Sequence, residues 1–216
     1  MSIKNLILRY NMIYRMKQRT LRNRLINKQF TLLSSNCLGG LIYHEFGLKF
    51  LSPTVNLRFS SKEFVKFVVN IEEYLKLNFV EIPTEKSYPI GMLGDITVHF
   101  VHYSSFEEAV NKWKERCKRI NWDNTFVLLN DCDGIDESDL ALLDQSKLKN
   151  IVVFTAKKYP NSRSAVYLSK YAGSKNVGNV MKKNIITGEM ECFRFFDFAA
   201  WFNDNGGKSA EYYSIE

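Results

Sequence analysis

Proline, glycine, cysteine and histidine are all scarce in this 216-residue chain, at 4, 11, 4 and 3 residues respectively. With so little proline and glycine, long flexible linkers are not expected. The four cysteines (Cys37, Cys117, Cys132 and Cys192) are scattered and form no CxxC pair. That argues against a disulfide framework or a structural zinc site and favours a reducing, cytoplasmic setting. No apolar run approaches the ~20 residues of a membrane span. The first segment is studded with Arg and Lys where a signal peptide would have an apolar centre, so none is expected. Internal repeats and low-complexity tracts are also missing.

Acids are absent from residues 1–28, which carry eight bases: Lys4, Arg9, Arg15, Lys17, Arg19, Arg22, Arg24 and Lys28. Removing these from the 30 bases of the chain leaves 22 against 23 acids. The overall charge of +7 therefore belongs to this arm, and the rest of the chain is close to neutral. Ile3, Leu6, Ile7, Tyr10, Ile13 and Tyr14 recur at helical spacing, so the arm is expected to be a basic amphipathic helix. Three roles are open to it. It can dock on its own domain with its charges solvated, lie on an anionic membrane surface at the inner face, or meet nucleic-acid phosphates. Nucleic acid ranks last, since the body has no second basic and aromatic stripe of the kind single-strand binders use.

The body, residues 29–216, reads as one domain. Hydrophobic residues make up 45% of the chain, with 16 Phe and 11 Tyr, enough for a sizeable core. Strand-like runs are "FTLLS", "SPTVNLRF", "FVEIP", "DITVHFVHY", "NTFVLLN", "NIVVFTA" and "SAVYLS". Helices are expected after the Ser60–Glu63 and Ser104–Glu107 capping boxes, after Asp136, and over "FDFAAWFND". "YPIGMLG", with two glycines, reads as a loop. Alternating strands and helices predict an α/β fold: mostly parallel strands covered by helices on both faces. In such sheets ligands gather at the carboxyl ends of strands.

Four segments fall at such ends. In "SSNCLGG", Asn36 precedes Gly39 and Gly40, which permit close backbone approach to an anion at a helix start; Cys37 is a nucleophile candidate or a packing residue. In "GDITVHFVH", Asp95 and His99 share one strand face and His102 lies near the strand end. Lys112, Arg116 and Arg119 form a basic stripe suited to phosphate, or a solvated face, running on to Asn121. In "LLNDCDG", Asn130 precedes Asp131 and Asp133. These two acids either hold Mg2+ or Mn2+ on a diphosphate leaving group or shape a turn leading into the Asp136 helix.

The blocks "SSNCLGGLIYHEFGLKFLSPTVNL", "YPIGMLGDITVHFVHYSSFEEAVNKWKERCKRINWDN" and "LLNDCDG" resemble the bacterial domain-of-unknown-function family 1919, commonly labelled exopolysaccharide-biosynthesis-like. The resemblance covers about residues 29–205 and leaves the basic arm largely outside. Leu38 stands where the family's first block often carries an aromatic residue. The resemblance implies an α/β fold and a setting in cell-surface polysaccharide synthesis. It is compatible with a metal-dependent transferase acting on a sugar nucleotide or lipid-linked sugar. In that account Asp131 and Asp133 hold the metal, and Asn36, Gly39, Gly40, Arg116, Arg119, Asn121 and Asn130 contact substrate. His102, His99 and Asp95 supply acid–base chemistry. The alternative is a membrane-associated accessory protein without catalysis.

Overall fold

The computed structural model describes residues 3–205 and 208–215, with side chains described from Met12 onward. A four-stranded parallel sheet forms the centre, in the order β1 (Thr31–Ser34), β5 (Thr125–Asn130), β6 (Asn150–Thr155), β7 (Ala165–Tyr167). Every residue of β1, β5 and β6 is buried, as expected of parallel strands packed on both faces. Leu32, Phe126, Leu128, Val152 and Phe154 enter one core with residues of α2 (Leu38–Phe46) and α8 (Phe198–Asp204). The alternate residues Leu33, Val127, Leu129, Ile151 and Val153 enter a second core. It is shared with α3 (Ser61–Val69), α5 (Phe106–Cys117) and α6 (Glu137–Asp144). The period of two along each strand makes this division.

The sheet is not the single one expected from the sequence. β2 (Phe79–Ile82), β3 (Ile90–Leu93) and β4 (Ile96–His99) form a separate three-stranded antiparallel sheet. The "YPIGMLG" segment read as a loop supplies β3. Gly91 sits mid-strand because a Cβ there would meet Phe79 and Phe100 at 2.9 Å. Gly94, at φ +63°, turns the hairpin between β3 and β4. Conversely, "SPTVNLRF" is not a strand. Asn56 takes a left-handed φ of 67°, and residues 53–56 form a turn, leaving only one bridge, Arg58 to His99. The helix expected after the Ser60–Glu63 box breaks at Asn70 into α3 and α4 (Ile71–Tyr74). The α5 cap is Ser105, whose side chain accepts from the Glu108 amide, one position beyond the expected Ser104–Glu107 box. The Asp136 cap is present, reciprocated by Asp139.

Helix α1 (Ile3–Arg24) carries the basic arm. The side chains of Ile3, Leu6, Ile7 and Tyr10, four of the six residues in the expected apolar stripe, lie outside the described residues. From Tyr14 onward one face, with Gln18, Leu21 and the following Leu25, turns toward the body. The Tyr14 hydroxyl donates to Glu45 Oε1 at 2.9 Å, Gln18 to Glu45 Oε2 at 2.8 Å, and Arg22 to the Glu45 carbonyl at 2.8 Å. Arg24 pairs with Asp197. α7 (Cys192–Phe195) completes the wall beneath α1. Among the described residues no helix is long and apolar enough to cross a membrane.

Candidate functional site

The carboxyl ends of β1 and β5 lie side by side, and the register pairs Ser34 with Leu128. Just beyond, the Asn130 amide donates to the Ser35 hydroxyl at 3.3 Å. The following loop makes the turn into α2: the Asn36 side-chain oxygen accepts the Leu38 amide at 3.0 Å, and the Ser34 hydroxyl accepts the Gly39 amide at 3.3 Å. Cys37, half-buried, stands at the helix N-cap, and its side chain makes no capping bond.

A chain of backbone bonds carries a distant histidine to this thiol. Phe59 donates to the Ser35 carbonyl at 2.9 Å, and Arg58 and His99 exchange amide–carbonyl bonds at 2.9 Å each. The end of β4 is thereby pinned beside the end of β1. Three residues on, His102 Nε2 lies 3.1 Å from Cys37 Sγ. Burial pushes the Cys37 thiol up, partly offset by its own backbone and by the Arg58 charge. Arg58 is exposed and makes no ion pair with a described residue.

The β5 end supplies the other wall. Asn130 is 3% exposed; its Nδ2 donates to Cys132 Sγ at 3.1 Å, while its Oδ1 has no partner among the described residues. Asn176 donates to the Cys132 carbonyl at 2.6 Å, and its buried Oδ1 is likewise unpartnered. Val177 donates to the Asp131 carbonyl at 2.8 Å, tying the segment around Val177 to this edge. His99 Nδ1 is a third unpartnered buried atom. Burial, then the charges of Lys86 and Arg58, hold the His99 imidazole below its ordinary value, toward the neutral form.

The acidic pair is built into the turn. Asp131, buried, accepts the Gly134 amide at 2.9 Å. Gly134 takes φ +105°. Burial raises the Asp131 carboxyl above its usual range; the Gly134 amide opposes this and the Asp133 charge adds to it. Asp133 Oδ1 accepts the Ser61 amide at 2.9 Å and the Ser61 hydroxyl. Among the described residues no group of three or more His, Cys, Asp or Glu side chains is placed to hold a metal ion.

The remaining candidates are dispersed. Arg116, expected on a solvated or substrate-binding stripe, is buried: Nη1 donates to the Val55 carbonyl at 2.9 Å and the Tyr103 hydroxyl at 2.7 Å, and its guanidinium lies over the Phe50 ring. Arg119 donates to the Phe50 carbonyl at 3.3 Å and pairs with Glu115. Asn121 donates to the Gln29 carbonyl at 2.6 Å and receives no site neighbour. Asn121, bonded to Gln29 just before β1, lies at the amino edge of the sheet, whereas Arg116 reaches Tyr103, the residue after His102. Asp95 is exposed beside the β3–β4 turn, held by Lys66 at 3.0 Å and the Tyr74 hydroxyl at 2.5 Å. Gly39 and Gly40 face protein: a Cβ on Gly39 would meet Ser34 Cβ at 2.6 Å, and one on Gly40 would meet Val55 at 3.3 Å. Leu38 is fully buried, packing against the sheet.

The structure thus brings Cys37 and His102 into contact, with Asn36 in the same turn and Asn130 on the adjoining strand end, bonded to Ser35. The sequence reading missed Arg58 and Asn176, which sit in segments without a motif, and gave the Cys37–His102 pairing no weight. A cleft of about 550 Å3 lies elsewhere, lined by residues including Lys158, Tyr159, Arg163, Tyr167 and Glu211. It contains no thiol or imidazole.

Fold and site together define an α/β protein with a thiol–imidazole contact at the carboxyl edge of a parallel sheet. The chain belongs to the family described as a domain of unknown function (DUF1919), which matches residues 9–203. The match begins inside the basic arm, twenty residues earlier than the sequence reading placed it. An uncharacterised protein of Haemophilus influenzae is 40% identical over 185 residues, covering 86% of this chain and 89% of that protein.

Proposed function

We propose that this protein is a transferase of polysaccharide assembly that acts on a sugar-bearing substrate where β1 and β5 end. The observation that carries the reading is the contact between His102 Nε2 and Cys37 Sγ, a base and a nucleophile at the edge where α/β sheets bind ligands. The unpartnered amide oxygens of Asn130 and Asn176, both buried, would serve a sugar substrate once the side chains covering them part. Buried carbonyl oxygens without donors favour hydroxyl groups, which sugars supply in number. Arg58 would meet a phosphate or other anionic part of the substrate.

An Mg2+ or Mn2+ at Asp131 and Asp133 would have to bind alongside the amides those carboxylates already hold. Titrating either metal into the assay below tests that route separately.

The test is thermal melting with a panel of sugar nucleotides, wild type beside Asn130→Ala and Asn176→Ala. A ligand at a hundred times its Kd adds about 2.7 kcal/mol, several degrees for a chain of this size. A shift that both variants abolish supports the reading. No shift with any sugar nucleotide, together with no turnover, favours the accessory role.

The outer face of α1 supports a membrane-surface location at the inner face. Met12 and Met16 are 58% and 64% exposed, and Arg15 and Arg19 share that face by helical spacing. Apolar and basic residues on one face suit an anionic bilayer. Binding to phosphatidylserine vesicles that weakens with salt, without comparable binding to duplex DNA, is the expected result.

A further inference from the structure

We propose that Cys37 is a covalent acyl carrier: the protein transfers an acyl group from an anionic acyl thioester to a hydroxyl of its acceptor, through a thioester on Cys37. This rests on the sugar-binding reading for the acceptor alone.

Four observations favour acyl transfer over other thiol chemistry. His102 Nε2 lies within hydrogen-bond reach of the thiol, the arrangement in which imidazole removes a proton as the sulfur attacks. Burial opposes a standing thiolate on Cys37, so a base acting during attack is required. The first α2 amides are occupied: Leu38 donates to Asn36 and Gly39 to Ser34. With two of these amides taken, a phosphate finds a poorer cradle there, which disfavours phosphoryl transfer. Finally, the site is open. His102 is exposed and Cys37 half-buried, so a donor and a bulky acceptor can reach the same sulfur in turn.

The steps balance without an oxidant or metal. Cys37 Sγ attacks the thioester carbonyl carbon while its proton passes to His102 Nε2. The tetrahedral intermediate collapses, the donor C–S bond breaks, and the departing thiol takes the proton from His102. The acceptor hydroxyl then attacks the Cys37 thioester and gives its proton to His102. Collapse releases the acyl ester and returns the proton to Cys37. The side-chain NH2 of Asn36, one residue before Cys37 in the same turn, would donate to the developing oxyanion. Arg58, whose charge reaches both Cys37 and Cys132, would hold the anionic part of the donor.

Cys132 provides an internal comparison. It is exposed, but its contact is the Asn130 amide and not an imidazole. The full-length protein is incubated with p-nitrophenyl acetate and, separately, with S-acetyl-N-acetylcysteamine, then acid-quenched for intact mass and peptide mapping. The expected result is one acetyl group on Cys37. It is absent in Cys37→Ser, unchanged in Cys132→Ser, and formed about 100-fold more slowly in His102→Gln. Melting curves of the variants verify that each is folded. Equal labelling of Cys37 and Cys132, or a rate on Cys37 unaltered by His102→Gln, overturns the proposal. Acetyl-Cys37 that no sugar discharges leaves the covalent chemistry standing and refutes the sugar acceptor. Sugar binding and turnover without acetyl-Cys37 does the reverse.

Discussion

Asp133 holds the first turn of α3 from 72 residues away in sequence: its Oδ1 accepts the Ser61 amide at 2.9 Å. The β5 end loop is thus fastened to the helix that packs across it, reinforced by Lys62 reaching Asp136 at 2.7 Å and Asp139 at 3.1 Å. An orphan helix-terminal amide satisfied by a carboxylate is worth about 1 kcal/mol. Asp133→Ala should lower the urea unfolding free energy by about that amount and the Tm by about 2–4 °C. Asp133→Asn should restore most of the loss. A variant as stable as wild type would show that the carboxylate is free for another role.

The pH dependence of Asp131 has a definite sign. Its folded carboxyl lies above the ordinary range because of burial, so the folded state binds a proton more readily than the unfolded one. Stability from this group is full below the unfolded value, falls as pH rises from there through the raised folded value, and the deficit is present at neutrality. Asp131→Asn should therefore melt higher than wild type at pH 7, with the difference closing in acid below the usual carboxylate range. Urea titrations at stepped pH check this; a gain that persists undiminished in acid would refute it.

Arg116 tests structure against substrate. Its buried guanidinium serves the Val55 carbonyl and the Tyr103 hydroxyl, and hydrogen bonds from a charged group contribute about 1.5–3 kcal/mol. Arg116→Met should unfold about 2 kcal/mol more easily, yet leave sugar-nucleotide binding per folded molecule unchanged. Weakened binding at full stability would return Arg116 to the substrate site.

Glu45 latches α1. Burial pushes its carboxyl up, but hydrogen bonds from Gln18, Lys183 and Tyr14 outweigh burial and hold it below the usual range. A depressed carboxyl stabilises above its unfolded range, and that contribution is lost as pH falls through the folded value. Glu45→Ala should cost about 2–3 kcal/mol at neutral pH, and hydrogen exchange should rise along α1. Unchanged protection of α1 would show that its apolar face alone docks it.

Gly39 and Gly40 are adjacent yet unequal. Overpacking against Ser34 Cβ at 2.6 Å should make Gly39→Ala destabilising by about 1–3 kcal/mol. Gly40→Ala, 3.3 Å from a Val55 methyl, should be milder. A loss of ligand binding without loss of stability would point to a backbone contact with substrate.

The sequence alone marked β1, β5 and β6, because short apolar runs bury both faces of a strand wherever it sits; β7 fell where its signal weakens. It also marked the Asp136 cap, whose signal lies within a turn of the helix it starts. What it left undecided depends on closing long loops. "YPIGMLG" became a strand because Phe79, Phe100 and Phe106 crowd Gly91, a pressure no window around the glycine contains. "SPTVNLRF" became a turn because Thr54 Oγ1 accepts the Ser34 amide at 2.8 Å, fastening that segment to β1 side-on. The Arg58–His99 bridge then sets His102 over Cys37, across 65 residues. Local periodicity can place a cysteine and a histidine at strand ends; only the packing of the antiparallel sheet against the parallel one decides that they touch.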